Sequence, residues 1–244
     1  VDVISHNIAN MNTTGFKRRR AEFQDLIYQN LRRVGSNSSD SGSVVPAGAQ
    51  VGLGVKTAAI YRIHEQGNLQ ITDNPLDVAI KGRGFFQVDL PDGTTGYTRD
   101  GSFKLSPNGE IVTQDGYTVQ PGITVPLDAL DVTINASGQV EATLAGNPTP
   151  QLLGQFQLAN FVNEAGLDAL GDNLLVETAA SGSPTTGNPG EIGFGSLQQN
   201  FLETSNVNIV SEITDLITAQ RTYEINSKVI QASDDMMGTI SQIR

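Results

Sequence analysis

The stretch Phe85–Gln120, FFQVDLPDGTTGYTRDGSFKLSPNGEIVTQDGYTVQ, decides how the chain is read. Four Asx-Gly pairs punctuate it: Asp92-Gly93, Asp100-Gly101, Asn108-Gly109 and Asp115-Gly116, at spacings of eight, eight and seven. Asn or Asp followed by Gly accepts positive φ, so each pair reads as a hairpin turn. Between the turns lie Phe85–Leu90, Tyr97–Arg99, Phe103–Leu105, Ile111–Thr113 and Tyr117–Gln120. Short strands at this even spacing predict an antiparallel meander in a barrel or sandwich. Downstream, Val132–Ile134 and Val140–Leu144 flank Asn135–Gly138 as a further hairpin, and Gln155–Phe161 alternates polar and apolar like a strand. Thr178–Gly190, rich in Ser, Thr, Gly and Pro, reads as a loop.

Outward from this region the apolar period changes from two toward 3.6. Val1, Ile4, Ile8 and Met11 recur at three- and four-residue steps and read as the end of a helix, broken by Asn10, Asn12 and Gly15. The same spacing predicts a second helix over Arg19–Arg33, with Phe23, Leu26, Ile27, Leu31 and Val34 on one side. Residues 35–54, GSNSSDSGSVVPAGAQVGLG, read as a linker or as an extended arm that orders only against a neighbouring subunit. In the mixed segment Val55–Asn74, Val55, Ile63 and Leu69–Ile71 are candidate short strands.

From Asn208 to Arg244 there is no Pro and a single Gly, Gly238, which predicts one long helix of roughly 55 Å at ~1.5 Å per residue. Ile209, Ile213, Leu216, Gln220, Tyr223, Ser227, Ile230 and Met237 lie near one seam. Ile225, Val229, Ala232, Met236, Ile240 and Ile243 lie on a second. Two stripes imply more than one neighbour.

The resulting expectation is an α+β chain. Paired N- and C-terminal helices form a coiled-coil-like core that encloses an antiparallel β middle domain. The expected parts are a discontinuous helical core of residues 1–34 and 207–244, a connecting region of 35–76 and 191–206, and a β domain of 77–190. Such helices cannot bury their stripes within one copy, so they point to self-assembly. A head-to-tail contact whose rotation does not close gives a helical filament.

Composition narrows the classes further. With 244 residues the chain forms one large or two ordinary domains. It has no Cys, which excludes disulfides and Cys metal sites. No run approaches the ~20 apolar residues of a membrane span, and no signal peptide pattern is present. The chain opens on Val1, in mid-pattern, so further upstream residues are expected. The formal charge is −11 and unevenly placed: residues 1–34 carry six cations against three anions, net +3, leaving −14 for the remainder. An acidic body disfavours nucleic acid. The basic run at residues 17–20 reads as a solvated face paired with acidic neighbours rather than a phosphate or lipid site.

Candidate chemistry is sparse. His6 and His64 are the only histidines, and neither sits in a metal or general-base motif. Lys81-Gly82-Arg83-Gly84 mimics a phosphate loop, but Phe85-Phe86 continues it as strand, so its glycines read as sites of close backbone approach. The 26 carboxylates show no spacing that singles out the pair a glycosidase needs. Sequons at Asn12, Asn37 and Asn135 read as turn sequence. Glu224 and Lys228 make a favourable i, i+4 helix pair. No catalytic residue, cofactor or metal is expected.

Five segments together carry a resemblance: NIANMNTTGFK (Asn7–Lys17), DVAIKGRGFFQV (Asp77–Val88), YTRDGSF (Tyr97–Phe103), ETSNVN (Glu203–Asn208) and QRTYEINSK (Gln220–Lys228). They resemble the axial proteins of the bacterial flagellum, the rod and hook family, in order and over essentially the whole chain. Within that family Ser43–Gly54 followed by Val55 is similar to a stretch carried by distal rod subunits. The resemblance implies a structural, non-enzymatic subunit of the distal rod that polymerises into a rigid helical tube and transmits motor torque. The extra stretch would pack between subunits and stiffen the tube. The family's N-terminal helix begins further upstream than Val1. Implied partners are further copies, proximal rod and hook proteins at the ends, the surrounding P and L ring proteins and the type III export apparatus, and no nucleic acid. The implied location is the basal body, spanning the periplasm to the outer membrane.

The self-assembly interface expected on this basis takes Ile4, Asn7, Ile8, Asn10, Asn12, Thr14, Gly15 and Phe16 from the N-terminal segment. The arm contributes Val44, Val45, Pro46, Val51 and Leu53. The C-terminal helix contributes Ile213, Leu216, Ile217, Gln220, Arg221, Tyr223, Asn226, Ile230 and Met237. Two other readings remain open: a hook or proximal rod subunit, and, from another class, a periplasmic cell-wall hydrolase with helical anchors.

Overall fold

A computed structural model of the chain describes residues 1–32 and 47–242. The chain divides into two compact units: Val1–Arg18 with Ile63–Arg244, and Arg19–Arg62.

The first unit is built on a six-stranded antiparallel sheet. Its strands run in the order Asp168–Gly171, Leu174–Val176, Thr95–Thr98, Phe85–Asp89, Leu158–Asn160 and Thr185–Gly187. A three-stranded antiparallel sheet, Ala129–Ile134, Gln139–Leu144 and Asn147–Gln155, accompanies it. Shorter pairs join Val78–Lys81 to Ser196–Gln199 and Leu69–Ile71 to Phe201–Glu203. Successive strand residues face opposite sides, and Phe85 and Phe86 use this directly. Phe86 enters one apolar cluster with Phe103, Ile111, Val140, Phe156 and Leu158. Phe85 enters a second with Tyr97, Phe161, Leu167 and Leu175. Each cluster contains an edge-to-face aromatic pair, Phe86–Phe103 at 5.0 Å and Tyr97–Phe161 at 4.8 Å, the geometry ring quadrupoles favour.

Three of the four Asx-Gly pairs form the turns their chemistry predicts. Gly93, Gly109 and Gly116 have φ of 82°, 83° and 87° and close tight turns. Asp100-Gly101 differs. There the Asp100 carboxylate accepts the Ser102 backbone N–H at 3.0 Å and the Ser102 hydroxyl at 2.7 Å. Gly101 is required for space: a Cβ there would lie 1.7 Å from the Val78 carbonyl oxygen. The 155–161 strand expectation also changes, since one strand ends at Gln155 and another begins at Leu158. The 178–190 loop contains the sheet-edge strand Thr185–Gly187.

The paired-helix architecture is overturned. Helix α1 spans only Asp2–Ala9, eight residues, whereas helix α2 spans Ile209–Gln242, 34 residues. At ~1.5 Å per residue these are about 12 Å and 51 Å long, so the eight residues of α1 accompany only the start of α2, where Asn7 meets Glu212. The chain is mostly β, with one long C-terminal helix and one short N-terminal helix among the described residues.

The helix expected over Arg19–Arg33 is strand instead. Arg19–Asp25 pairs with Val55–Arg62, and Tyr28–Arg32 pairs with Ala49–Gly52, both antiparallel. These pairs form a two-stranded ribbon, the second unit. The apolar residues at 23, 26, 27 and 31 fit a helical period, but the β-prone Val55–Arg62 offers a complete ladder, and pairing overrides local preference. Residues 49–52, expected in a linker, are therefore also strand. Arg33, Val34, Ile243 and Arg244 lie outside the described residues.

Candidate assembly surface and terminal clasp

The N-terminal segment and the residues leading into α2 meet in the first unit. Asn7, buried on α1, donates to the Glu212 carboxylate in the first turn of α2 at 3.2 Å. Asn208 opens α2, its side-chain oxygen accepting the Val210 and Ser211 amides at 3.0 and 3.3 Å, as a helix N-cap does. The Gly15 amide donates to the Glu203 carbonyl at 2.8 Å. Gly15 has φ 68° and a Cβ there would sit 3.0 Å from the Arg99 backbone, so both conformation and space demand glycine. Asn206 stitches further: its oxygen accepts the Arg18 amide at 2.7 Å, and its amide group donates to the Ile63 and Glu65 carbonyls at 2.9 and 3.0 Å. Asn173, in a left-handed turn position, donates to the Thr14 carbonyl at 3.1 Å.

At the centre lies a buried charge cluster. Lys17 pairs with Glu203 and donates to the Glu65 carbonyl at 2.8 Å. Arg99 Nη1 lies 3.5 Å from the other Glu203 oxygen, its guanidinium 5.3 Å above the Phe85 ring. The Gly67 amide donates to Glu203 at 2.8 Å. The Glu203 side chain is fully enclosed, and those of Lys17 and Arg99 are 5% exposed. Burial pushes the Lys17 ammonium below the usual lysine value, opposed by the Glu203 carboxylate; burial lowers Arg99 likewise. The basic run at residues 17–20 is expected on a solvated face, but Lys17 is buried, and no sequence pattern links it to Arg99 and Glu203, since 186 residues separate Lys17 from Glu203.

The longest unbroken exposed stretch lies elsewhere. Every side chain of α2 from Gln220 to Thr239 is exposed, including Tyr223, Ile225, Val229, Ile230, Met236 and Met237. On the ribbon, Phe23, Ile27, Leu31, Val51, Leu53 and Val55 are exposed as well. A two-stranded ribbon is marginal alone in water, and apolar patches of this kind mark contact surfaces.

The residues expected at the interface thus fall into distinct places. Asn7 and Gly15 are buried by contacts within this chain. Ile4, Ile8, Asn10, Thr14 and Phe16 are partly buried, and Asn12 is exposed. Val51 and Leu53 lie exposed on the ribbon; Val44, Val45 and Pro46 lie outside the described residues. On α2, Leu216 is partly buried, while Ile213, Ile217, Gln220, Arg221, Tyr223, Asn226, Ile230 and Met237 are exposed. The family-like motifs NIANMNTTGFK and ETSNVN therefore supply an intrachain clasp, whereas QRTYEINSK lies on the open helix.

His64 is enclosed, with Nδ1 3.9 Å from Glu164 and its ring edge-on to Phe85. At Lys81–Gly84 the chain turns between two strands, and Gly84 lies against Leu158, within 3.2 Å of where a Cβ would stand. Among the described residues no group of three or more His, Asp or Glu is placed to hold a metal ion, and no helix is long and apolar enough to cross a membrane.

Three family models match the chain. Residues 1–17 match the flagella basal body rod protein model. Residues 79–142 match the flagellar hook protein FlgE/F/G D1 domain, and residues 198–243 the C-terminal region of the flagellar basal body rod FlgEFG proteins. The flagellar basal-body rod protein FlgG of Caulobacter vibrioides is 60% identical over the whole chain and 93% of its own length. FlgG of Agrobacterium fabrum is 52% identical over 99% of the chain and 92% of its length, and FlgG of Bacillus subtilis 39% over the whole chain and 93% of its length. Identity of this extent, spanning the clasp, the β body and the open helix alike, shows that the chain belongs to the FlgG family of flagellar basal-body rod proteins.

Proposed function

We propose that the chain is the structural subunit of the distal rod, and that copies assemble into a rigid helical tube carrying motor torque from the basal body to the hook. The observation that supports this most is the bare length of α2: twenty consecutive exposed positions, 220–239, on a subunit whose two apolar clusters, around Phe86 and around Phe85, are closed within the β body. Burying Tyr223, Ile225, Val229, Ile230, Met236 and Met237 at ~1.5–3 kcal/mol each supplies on the order of 10 kcal/mol per subunit, against which ordering and association costs are set. The ribbon adds a second apolar surface with Phe23, Ile27, Leu31, Val51 and Leu53. The assembly interface therefore takes Val51 and Leu53 with Ile213, Ile217, Gln220, Arg221, Tyr223, Asn226, Ile230 and Met237, together with Val44, Val45 and Pro46, which lie outside the described residues.

The role is mechanical, without catalysis or cofactor. The subunit leaves the cell through the type III export apparatus, meets proximal rod and hook proteins at the ends of its tube, and passes through the P and L rings between periplasm and outer membrane. Electron microscopy of basal bodies from cells lacking the gene tests this. Rods that stop short of the outer rings, and are completed when the gene is restored, are the expected result. Complete rods without hooks would move the subunit to the hook, and intact flagella would refute the reading.

A further inference from the structure

We infer that the buried Lys17–Glu203–Arg99 cluster is a charge latch that makes the seating of the N-terminal segment conditional on the docking of the strand Phe201–Glu203. Lys17 follows α1, Arg99 belongs to the β body, and Glu203 ends the last strand before α2. Two cations and one anion share a nearly dry site, and among the described residues Glu203 is the one carboxylate in direct contact with both cations. Among the described residues the Arg99 Nε has no hydrogen-bond partner, and its guanidinium lies over the Phe85 ring. Glu164 also bears on both cations, but at a distance, and it is engaged by Arg83 at 2.9 Å and faces His64.

Without the Glu203 charge, Lys17 would enter a buried site that already holds an unpaired guanidinium, the costliest arrangement for buried charge. With it, the two cations are held by opposite oxygens of one carboxylate, and the backbone around it locks too. The Gly15 amide reaches the Glu203 carbonyl, the Gly67 amide its carboxylate, and the Arg18 amide the Asn206 side chain. Residues 10–18 and 201–206 therefore seat together or not at all. Local opening of this unit is separable from the β core, whose strands are held by their own ladders.

Amide hydrogen exchange on the purified chain tests the latch. Glu203→Gln keeps the shape and one acceptor but removes the charge. It is expected to speed exchange at the Gly15 and Arg18 amides at least about tenfold while Val88 and Leu158 in the six-stranded sheet stay at parental rates. Adding Lys17→Met, which removes one of the stranded cations, is expected to bring Gly15 and Arg18 back to within about threefold of the parent. Lys17→Met alone leaves Glu203 with Arg99 and is expected to change neither. Unchanged rates in Glu203→Gln, a rise spread across the sheet, or no rescue in the double variant would each overturn the latch. A tenfold rise in Lys17→Met alone would do so as well, even if Glu203→Gln fails to fold.

Discussion

In the β body Phe85 and Phe86 are fully enclosed on the two faces of one strand, whereas on α2 Ile230 and Met237 stand 62% and 69% exposed. The residue types are equally apolar; what differs is whether one copy of the chain can cover them. The body has two sheets, short accessory pairs and turns that fold back on themselves, so the apolar side chains of its two clusters meet others from distant positions. Helix α2 leaves the body after its first turns, and beyond Ala219 no described side chain is covered. A subunit that must join many copies keeps its own fold in one region and its adhesion in another.

The comparison breaks if body and helix respond alike to mutation. The largest effect on the folded subunit is expected from Phe86→Ala, which empties a site walled by Phe103 and Phe156. It should cost about 3–5 kcal/mol in denaturant unfolding. Next is Gly101→Ala, whose Cβ must displace the Val78 carbonyl. Its cost should be about 1–3 kcal/mol, with Val78–Lys81 shifted against Ser196–Gln199. Asn206→Ala removes three hydrogen bonds of the clasp and should cost about 1–3 kcal/mol, read as faster proteolysis near residues 10–18 before the body unfolds. The smallest effect on the fold is expected from Ile230→Asp, within about 0.5 kcal/mol of the parent in unfolding. The same variant should abolish rod completion in cells, as seen in electron micrographs of basal bodies. Normal rods with Ile230→Asp, or a large loss of subunit stability, would collapse the distinction between body and helix.

The legible parts of the molecule were those whose physics is local. Asn108-Gly109 and Asp115-Gly116 announce their turns because two adjacent residues suffice to accept positive φ. The long C-terminal helix was legible because 34 residues without Pro leave no alternative period. Asp100-Gly101 misled because the same dipeptide there answers to a carbonyl from residue 78. Residues 19–32 misled for a similar reason: Phe23, Leu26, Ile27 and Leu31 satisfy a helical spacing, and only the presence of Val55–Arg62 alongside decides for strand. The site divided in the same way. On α2 the periodicity marks two apolar seams, but within one copy polar and apolar positions from 220 to 239 are exposed alike, while the burial of Asn7 and Gly15 follows from partners at residues 212 and 203.

The sequence by itself therefore determined the turns, the strand-rich middle, the terminal helix, the acidic balance and the resemblance to flagellar axial proteins, since each rests on residues close together along the chain or on their sum. Only the tertiary structure decided that α1 is clasped to the start of α2, that residues 19–32 and 49–62 form a ribbon, and that Lys17, Arg99 and Glu203 share one buried site. Those outcomes depend on which distant segments meet. The free energy of a ladder or a buried ion pair belongs to the meeting and to neither segment alone.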